Sequence, residues 1–463
     1  MSAASGAAWK AGEIDCSGSL MVLTLRLVAL AFDVADGRVE DASTLTPYQV
    51  ANRVASPPSL LPFLGYAFFP GSFLAGPFLP FADYSAWVER RGAWAAPRVG
   101  GGSGGGDGGG SGAPEAGCAR AVASAACRGL VALVVHAAVA PRFPGSVFSD
   151  ASWVSSHSFF QKIGWMWAMG FAARNKYYFV WLWAEAACDS CGQGWSGWAA
   201  ASPPPAPAAA ADADGAKPAA VSSARHAAPP RGASDAASAA SDGATASPPP
   251  PPPPLPPPRL RPDWSRARNV DILGVELATS ASGLAANWNS RTGQARNLTE
   301  QSVKLLTART FAHSPRPPPA LRSQWLRHYS YERLAPPSSG RAPFSALLAT
   351  QALAALWHGV APGYGFFFVG SAFMFQASKV VFRAERKLPK RLRRPAAVLH
   401  GLLASFHLNY VASAFVAVEM RGCLDAWGSV RHAGTISMVS IVALGAIFGG
   451  KGGKKGARKP KAA

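Results

Sequence analysis

One histidine stands where an acid–base group is costly to keep. His358 lies in Leu356-Trp357-His358-Gly359-Val360-Ala361-Pro362-Gly363-Tyr364, between apolar runs. An ionisable group in such surroundings is a functional candidate, because burial without a partner or water is unfavourable. Imidazole titrates near neutrality and is the usual side chain for taking a proton from a hydroxyl. Gly359, Pro362 and Gly363 would break or bend a helix beside it and open space for a substrate. The alternative is a histidine hydrogen-bonded between helices with no chemical task. A second polar group, Asn287-Trp288-Asn289-Ser290-Arg291-Thr292, sets amides beside a tryptophan. Amides in an apolar setting can donate to a developing oxyanion; the alternative is an asparagine that caps a helix. Cys188 and Cys191 form a CxxC pair, but no second pair or nearby histidine completes a zinc site. Small apolar residues at a helix end account for them as well.

Composition says where such a site would sit. Charged residues make up 15% of the 463, against about 25% in ordinary globular chains. With 15 Trp and 24 Phe, much of the chain is suited to lipid. The mean hydropathy of +0.09 hides this, because Gly, Pro, Ser and Ala tracts dilute strongly apolar segments. The net charge of +20 argues little for nucleic acid, since the basic residues form no long tract with interleaved aromatics. They cluster beside apolar segments, at 383–394 and 451–461, as on the cytosolic side of a membrane protein.

The positioning elements follow from the apolar runs. Residues 1–98 read as N-terminal membrane helices, with 19–32 short for a span and 60–81 broken by Pro62, Pro70, Pro77 and Pro80. That break predicts a kinked or re-entrant segment. Residues 99–118 are a Gly-rich linker, and 119–198 hold further membrane helices, with 121–140 long enough to span. Residues 159–187 read as two elements meeting at the polar joint Arg174-Asn175-Lys176. Residues 199–262, rich in Ala, Pro and Ser, read as a disordered loop that cannot bury a core. Residues 263–450 form the core that carries the chemistry, with apolar runs at 344–356, 363–381, 396–418 and 435–448. The fold class is all-α, a multi-pass transmembrane bundle of seven or eight elements, closed by a basic cytosolic tail at 451–463.

The ordered motifs resemble one family. Trp357-His358-Gly359-Val360-Ala361-Pro362-Gly363-Tyr364 is similar to the WHGxxPGY signature of membrane-bound O-acyltransferases, in their plant-type lysophospholipid branch. Trp288-Asn289-Ser290-Arg291-Thr292 resembles its WNxxT motif, and Asn269 to Glu276 the stretch before it. Leu64-Gly65-Tyr66, the blocks at 71–77 and 83–84, the block at 176–181 and His407-Leu408-Asn409-Tyr410 match in the same order. The resemblance implies a membrane chamber that takes acyl-CoA from the cytosol and a lysophospholipid from the bilayer. It implies His358 as catalytic base and Asn289 as its catalytic partner, with Trp288, Trp357 and Tyr364 binding substrate. It implies neither metal nor cofactor, acyl-CoA as co-substrate, lysophosphatidylcholine as the leading acceptor, phospholipid remodelling as the role, and the endoplasmic-reticulum membrane as the place. Lys459 and Lys461 resemble a dilysine retrieval signal of that membrane.

Three departures from the family pattern bear on these expectations. The block at 15–25 stands almost at the start of the chain, where relatives carry further helices upstream. Residues 295–324 separate Gln294 from Trp325-Leu326-Arg327-His328-Tyr329-Ser330-Tyr331-Glu332-Arg333, and removing them restores the pattern. The tracts at 99–112 and 199–258 are long, although loop closure grows costly only slowly with length. The competing readings are a family member with another acceptor, a neutral lipid or a protein, and a truncated non-catalytic membrane protein. A transporter fits less well, because paired broken helices in two related halves are not evident.

Overall fold

The computed structural model describes residues 16–95, 117–200, 260–291, 325–334 and 344–449. The linker at 99–116, most of 199–262, the stretch 295–324 and the tail at 451–463 lie outside the described residues. The chain divides into two units. Met1–Gly197 with Pro262–Ala463 forms the first, and Trp198–Arg261 the second. Two short strands, Gly197–Ala200 and Leu260–Asp263, pair with each other and supply the described part of the second unit.

The regular structure of the first unit, among the described residues, is almost wholly helical. Its main elements are α1 (Ser17–Gly37), α2 (Leu60–Ala67), α3 (Phe81–Val88), α4 (Cys118–Val139) and α5 (Phe159–Ser190). They continue as α6 (Ile272–Glu276), α7 (Ala281–Asn287), α8 (Phe344–His358), α9 (Pro362–Glu385), α10 (Lys390–Ala417), α11 (Met420–Ser429) and α12 (Ala433–Gly449). Among the described residues, three helical stretches are long and apolar enough to cross a membrane: Ser17–Gly37, Cys118–Ser149 and Pro362–Glu385. Met420–Ser429 with Ala433–Phe448, bent by 78°, makes a fourth if the pair is one span. Seven or eight membrane elements were expected, some of them short or re-entrant. The difference lies partly in α5 and α10, which are as long but carry polar residues: Arg174 and Lys176 in one, His400, His407 and Asn409 in the other. Apolar side chains face outward, among them Val131 at 64% and Val134 at 67% exposure. Arg174, His400, His407 and Asn409 are all buried. The chain therefore turns apolar faces outward and polar groups inward, the pattern lipid imposes.

Two expectations about elements change. The segment 159–187 is one 32-residue helix, not two elements joined at Arg174-Asn175-Lys176. A capping box between Ser158 and Gln161 starts it. Its polar middle is tolerated because partners from distant segments meet it, and Asn175 donates to the Phe171 carbonyl at 2.9 Å. The run at 19–32 extends to Ser17–Gly37, since Asp33 and Asp36 also find partners. Tyr329 donates to Asp33 at 2.9 Å, and Arg333 to Asp36 at 2.6 Å. The proline-broken run at 60–81 is not one straight helix: it gives α2, the short helix Pro70–Phe73 and an irregular stretch before α3.

Close helix approach depends on small residues. A Cβ on Gly170 would lie 2.3 Å from Oδ1 of Asn409, which seats α5 against α10. A Cβ on Gly363 would lie 2.3 Å from the Ala414 carbonyl oxygen, which seats α9 against α10.

Candidate active site

Helix α8 ends at His358 because Gly359 takes φ +126°, a conformation that side chains disfavour. Pro362 then occupies the first turn of α9, where its missing N–H costs nothing. The Gly363 N–H donates to the Val418 carbonyl at 2.7 Å, pinning the turn to the end of α10. Trp357 donates its indole N–H to the Met21 carbonyl at 3.0 Å, which ties the same helix end to α1. The Trp-His-Gly and Pro-Gly-Tyr halves of the motif thus act as a clamped corner. The His358 ring sits among Trp357, Phe368, Phe415 and Tyr364, with centroid separations of 4.7, 4.8, 5.5 and 5.7 Å. No described residue hydrogen-bonds this ring, so it does not serve as a polar link between described helices.

Asn289 comes from a separate loop. Asn287 ends α7 and donates to the Gly274 and Gly283 carbonyls at 3.0 and 2.9 Å. Trp288 is the cap residue, and Asn289 stands one position beyond it. Trp288 packs its indole against Tyr177, Tyr178 and Trp181 of α5, at 5.9, 5.6 and 4.8 Å. Asn289 itself takes φ +43°, which asparagine tolerates better than most side chains. The next two backbone N–H groups, of Ser290 and Arg291, donate to buried Asn269 at 2.7 and 3.0 Å. The loop is fixed on both sides of Asn289, while its buried Oδ1 has no hydrogen-bond partner.

His358 and Asn289 line one cavity of about 170 Å³, with Trp288 and Trp357 also in its wall. Tyr364 is not in that wall; it is buried behind His358 and packs on Phe415 at 5.2 Å. Aromatic and aliphatic side chains from α5, α9 and α10 make up most of the remaining surface. Such an apolar lining strengthens the few polar interactions inside.

Arg174 also lines the cavity and was not anticipated as a site residue. Its Nε and Nη2 donate to the two carboxylate oxygens of Glu276 at 2.8 and 2.9 Å, and Nη1 donates to Asn409 at 2.7 Å. Tyr178 adds a hydrogen bond to Glu276 at 2.6 Å. The signal in the sequence was the charge in the middle of an apolar helix, read there as a break. Leu326 brings a further segment to the cavity. It precedes a π-helical turn, Arg327–Tyr331, held to α1 through Trp325 and the Leu25 carbonyl at 2.9 Å. Cys188 and Cys191 are free thiols; each donates to a nearby backbone carbonyl, of Gly71 and Cys188 respectively.

The fold is a helical membrane body in which a histidine and an asparagine from distant segments face one apolar cavity. The chain belongs to the membrane-bound O-acyltransferase family, whose model matches residues 1–293 and 322–402. It is an acyltransferase by that membership. Among characterised relatives it is 31% identical to lysophospholipid acyltransferase 1 of Arabidopsis thaliana, over 98% of this chain and 77% of that protein. It is 30% identical to lysophospholipid acyltransferase 2 of the same plant, over 95% and 73%. Identity to the lysophospholipid acyltransferase of Saccharomyces cerevisiae is 24%, over 90% and 55%.

Proposed function

We propose that this chain transfers an acyl group from acyl-CoA to the free glycerol hydroxyl of a lysophospholipid, with lysophosphatidylcholine as the leading acceptor. The observation that carries the reading is the shared cavity of His358 and Asn289, two residues far apart in the chain. The names of the plant relatives supply the acceptor class. Phospholipid remodelling in the endoplasmic-reticulum membrane is the role that fits this reaction.

Neutral His358 takes the hydroxyl proton, and the acceptor oxygen attacks the thioester carbonyl. A new C–O ester bond forms as the C–S bond breaks, and the imidazolium returns its proton to the departing coenzyme A thiolate. A base of this kind contributes about a hundred- to ten-thousand-fold. The unpaired Oδ1 of Asn289 suits accepting a hydrogen bond from a polar group of the bound substrate beside the reacting hydroxyl, which orients the nucleophile while its own proton faces His358. Its amide N–H₂ suits the oxyanion of the tetrahedral intermediate. Trp288 and Trp357 wall the reacting ends, and Tyr364 supports the histidine from behind. An apolar lining disfavours water beside the thioester and so slows its hydrolysis.

The test is expression in membranes stripped of their own lysophospholipid acyltransferases, with labelled acyl-CoA and a panel of lysophospholipids. Transfer that His358→Ala abolishes is the expected result. Transfer that survives the substitution would refute the assignment of the base.

A further inference from the structure

Among the described residues that line the cavity, Arg174 is the only arginine or lysine. A guanidinium in an apolar wall needs a reason, because desolvating a charge is costly. Glu276 supplies part of one by neutralising it in a two-pronged pair. That does not use up the group. A guanidinium has five N–H donors in a rigid fork, and three hydrogen bonds are made here, two to Glu276 and one to Asn409. The other two N–H groups have no acceptor among the described residues. The fork cannot swing away to find one. Asn409 is pressed against Gly170 and donates its own amide to the Ser405 carbonyl at 2.8 Å. Glu276 is held in turn by Tyr178, which donates to the same oxygen as Arg174 Nε.

We propose that the two remaining N–H groups of Arg174 bind a phosphate oxygen of a substrate in the cavity, so that Arg174 sets specificity for phosphate-bearing lipid. The inference rests on the lysophospholipid reading above. Planar forks match phosphate oxygens better than an ammonium does. Two phosphates could meet it: the phosphodiester of the acceptor and the phosphates of coenzyme A. The first lies a few bonds from the reacting hydroxyl; the second lies at the far end of the pantetheine arm. Since Arg174 lines the same cavity as His358, the acceptor's phosphodiester is the better match. Glu276 keeps the guanidinium neutralised while the cavity is empty and leaves the outer donors free when it fills.

The experiment compares two non-reactive competitors of equal chain length, an alkylphosphocholine and an uncharged alkyl glycoside. Each is read as inhibition of acyl transfer and as protection of the purified protein against heat. The wild-type chain is expected to prefer the alkylphosphocholine by about ten- to a hundredfold, the scale of a hydrogen bond to a charged group. Arg174→Lys, which keeps the charge but loses the fork, removes the preference and leaves glycoside binding in place. Glu276→Gln, which frees the guanidinium of its counter-charge, keeps or enlarges the preference. A wild-type protein with no preference overturns the proposal. So does equal weakening of both competitors in Arg174→Lys, or loss of the preference in Glu276→Gln, because those outcomes describe a purely structural pair. A parallel comparison of coenzyme A with phosphate-free pantetheine assigns the source: a preference there that Arg174→Lys removes moves the phosphate to the donor. Heat protection needs no turnover. A protein that binds the alkylphosphocholine through Arg174 yet acylates no lysophospholipid therefore refutes the proposed acceptor and not the site.

Discussion

The backbone N–H of Trp325 donates to the carbonyl of Arg291 at 3.1 Å. These two residues flank the stretch that interrupts the family pattern, and the family match itself skips residues 294–321. The chain leaves the Asn289 loop and re-enters at the point of departure. Thr292, Gly293 and Gln294 alone can bridge ends that already touch. Removal of residues 295–324 is therefore expected to preserve folding and acyl transfer. The shorter loop should add stability on the order of 1–2 kcal/mol from closure entropy. Heat unfolding and the transfer assay check this together. A shortened protein that folds but no longer transfers would give the stretch a role in catalysis. Sequencing the transcript asks a separate question: a message that joins Gln294 directly to Trp325 marks the stretch as retained intron.

Asn289 can be dissected by its two chemical ends. Asn289→Asp keeps an oxygen acceptor and a side chain that tolerates φ +43°, but loses the amide donor. If orientation of the hydroxyl is the larger contribution, Asn289→Asp retains more activity than Asn289→Ala. If oxyanion donation dominates, both fall by about a hundred- to a thousandfold. Measured kcat values for the two variants separate the roles.

Glycines of the corner after His358 should behave unequally. A Cβ at Gly363 meets the Ala414 carbonyl oxygen at 2.3 Å and Val418 at 2.7 Å, all backbone, whereas Gly365 has nothing within 4 Å. Gly363→Ala is expected to destabilise by about 1–3 kcal/mol through overpacking and to lower kcat by moving His358. Gly365→Ala is expected to be neutral or to stabilise by about 0.5–1 kcal/mol, since alanine is the better helix former. Thermal midpoints of the pair decide it. Equal behaviour would mean that α9 does not press on α10 as described.

Trp357→Phe keeps most of the indole's bulk but removes the hydrogen bond to Met21. The expected loss of stability is small, about 0.5–1.5 kcal/mol. The expected loss of kcat is larger than that loss of stability accounts for, because the bond fixes the end of the helix that carries the base. A variant with unchanged kcat and a lowered midpoint would reduce the bond to a structural role.

The buried Tyr329–Asp33 pair joins the segment after the interruption to α1. Tyr329 donates to both carboxylate oxygens, at 2.9 and 3.1 Å. Tyr329→Phe leaves buried Asp33 without that donor and is expected to cost about 1–3 kcal/mol, the range for a buried acceptor that loses its partner. Asp33→Asn in the same background should restore part of it, because a neutral amide is cheaper to bury. A double-mutant cycle on the thermal midpoint tests that coupling; strict additivity would show that the two groups act independently.

Local chemistry decided much of this protein. The breaking residues Gly359 and Pro362 end one helix and start another wherever they fall in an apolar run, so the corner beside His358 was legible without coordinates. The prolines between Pro62 and Pro80 likewise precluded one straight helix. Helix α5 was misread for the opposite reason. Arg174 and Lys176 look like a break when only neighbours in the chain are considered, because a charge in lipid is costly alone. Glu276, Tyr178 and Asn409 come from near and remote parts of the chain, and burial cost depends on partners that no local window contains. The same holds for the site. His358 was marked by its motif and Asn289 by its own, but only packing of α5, α7, α8, α9 and α10 brings them to one cavity and puts Arg174 beside them. Tyr364, inside the motif, was displaced behind the histidine for that reason too. Residue type and spacing determine where a chain bends and what chemistry it carries; which groups share one cavity is settled by long-range packing.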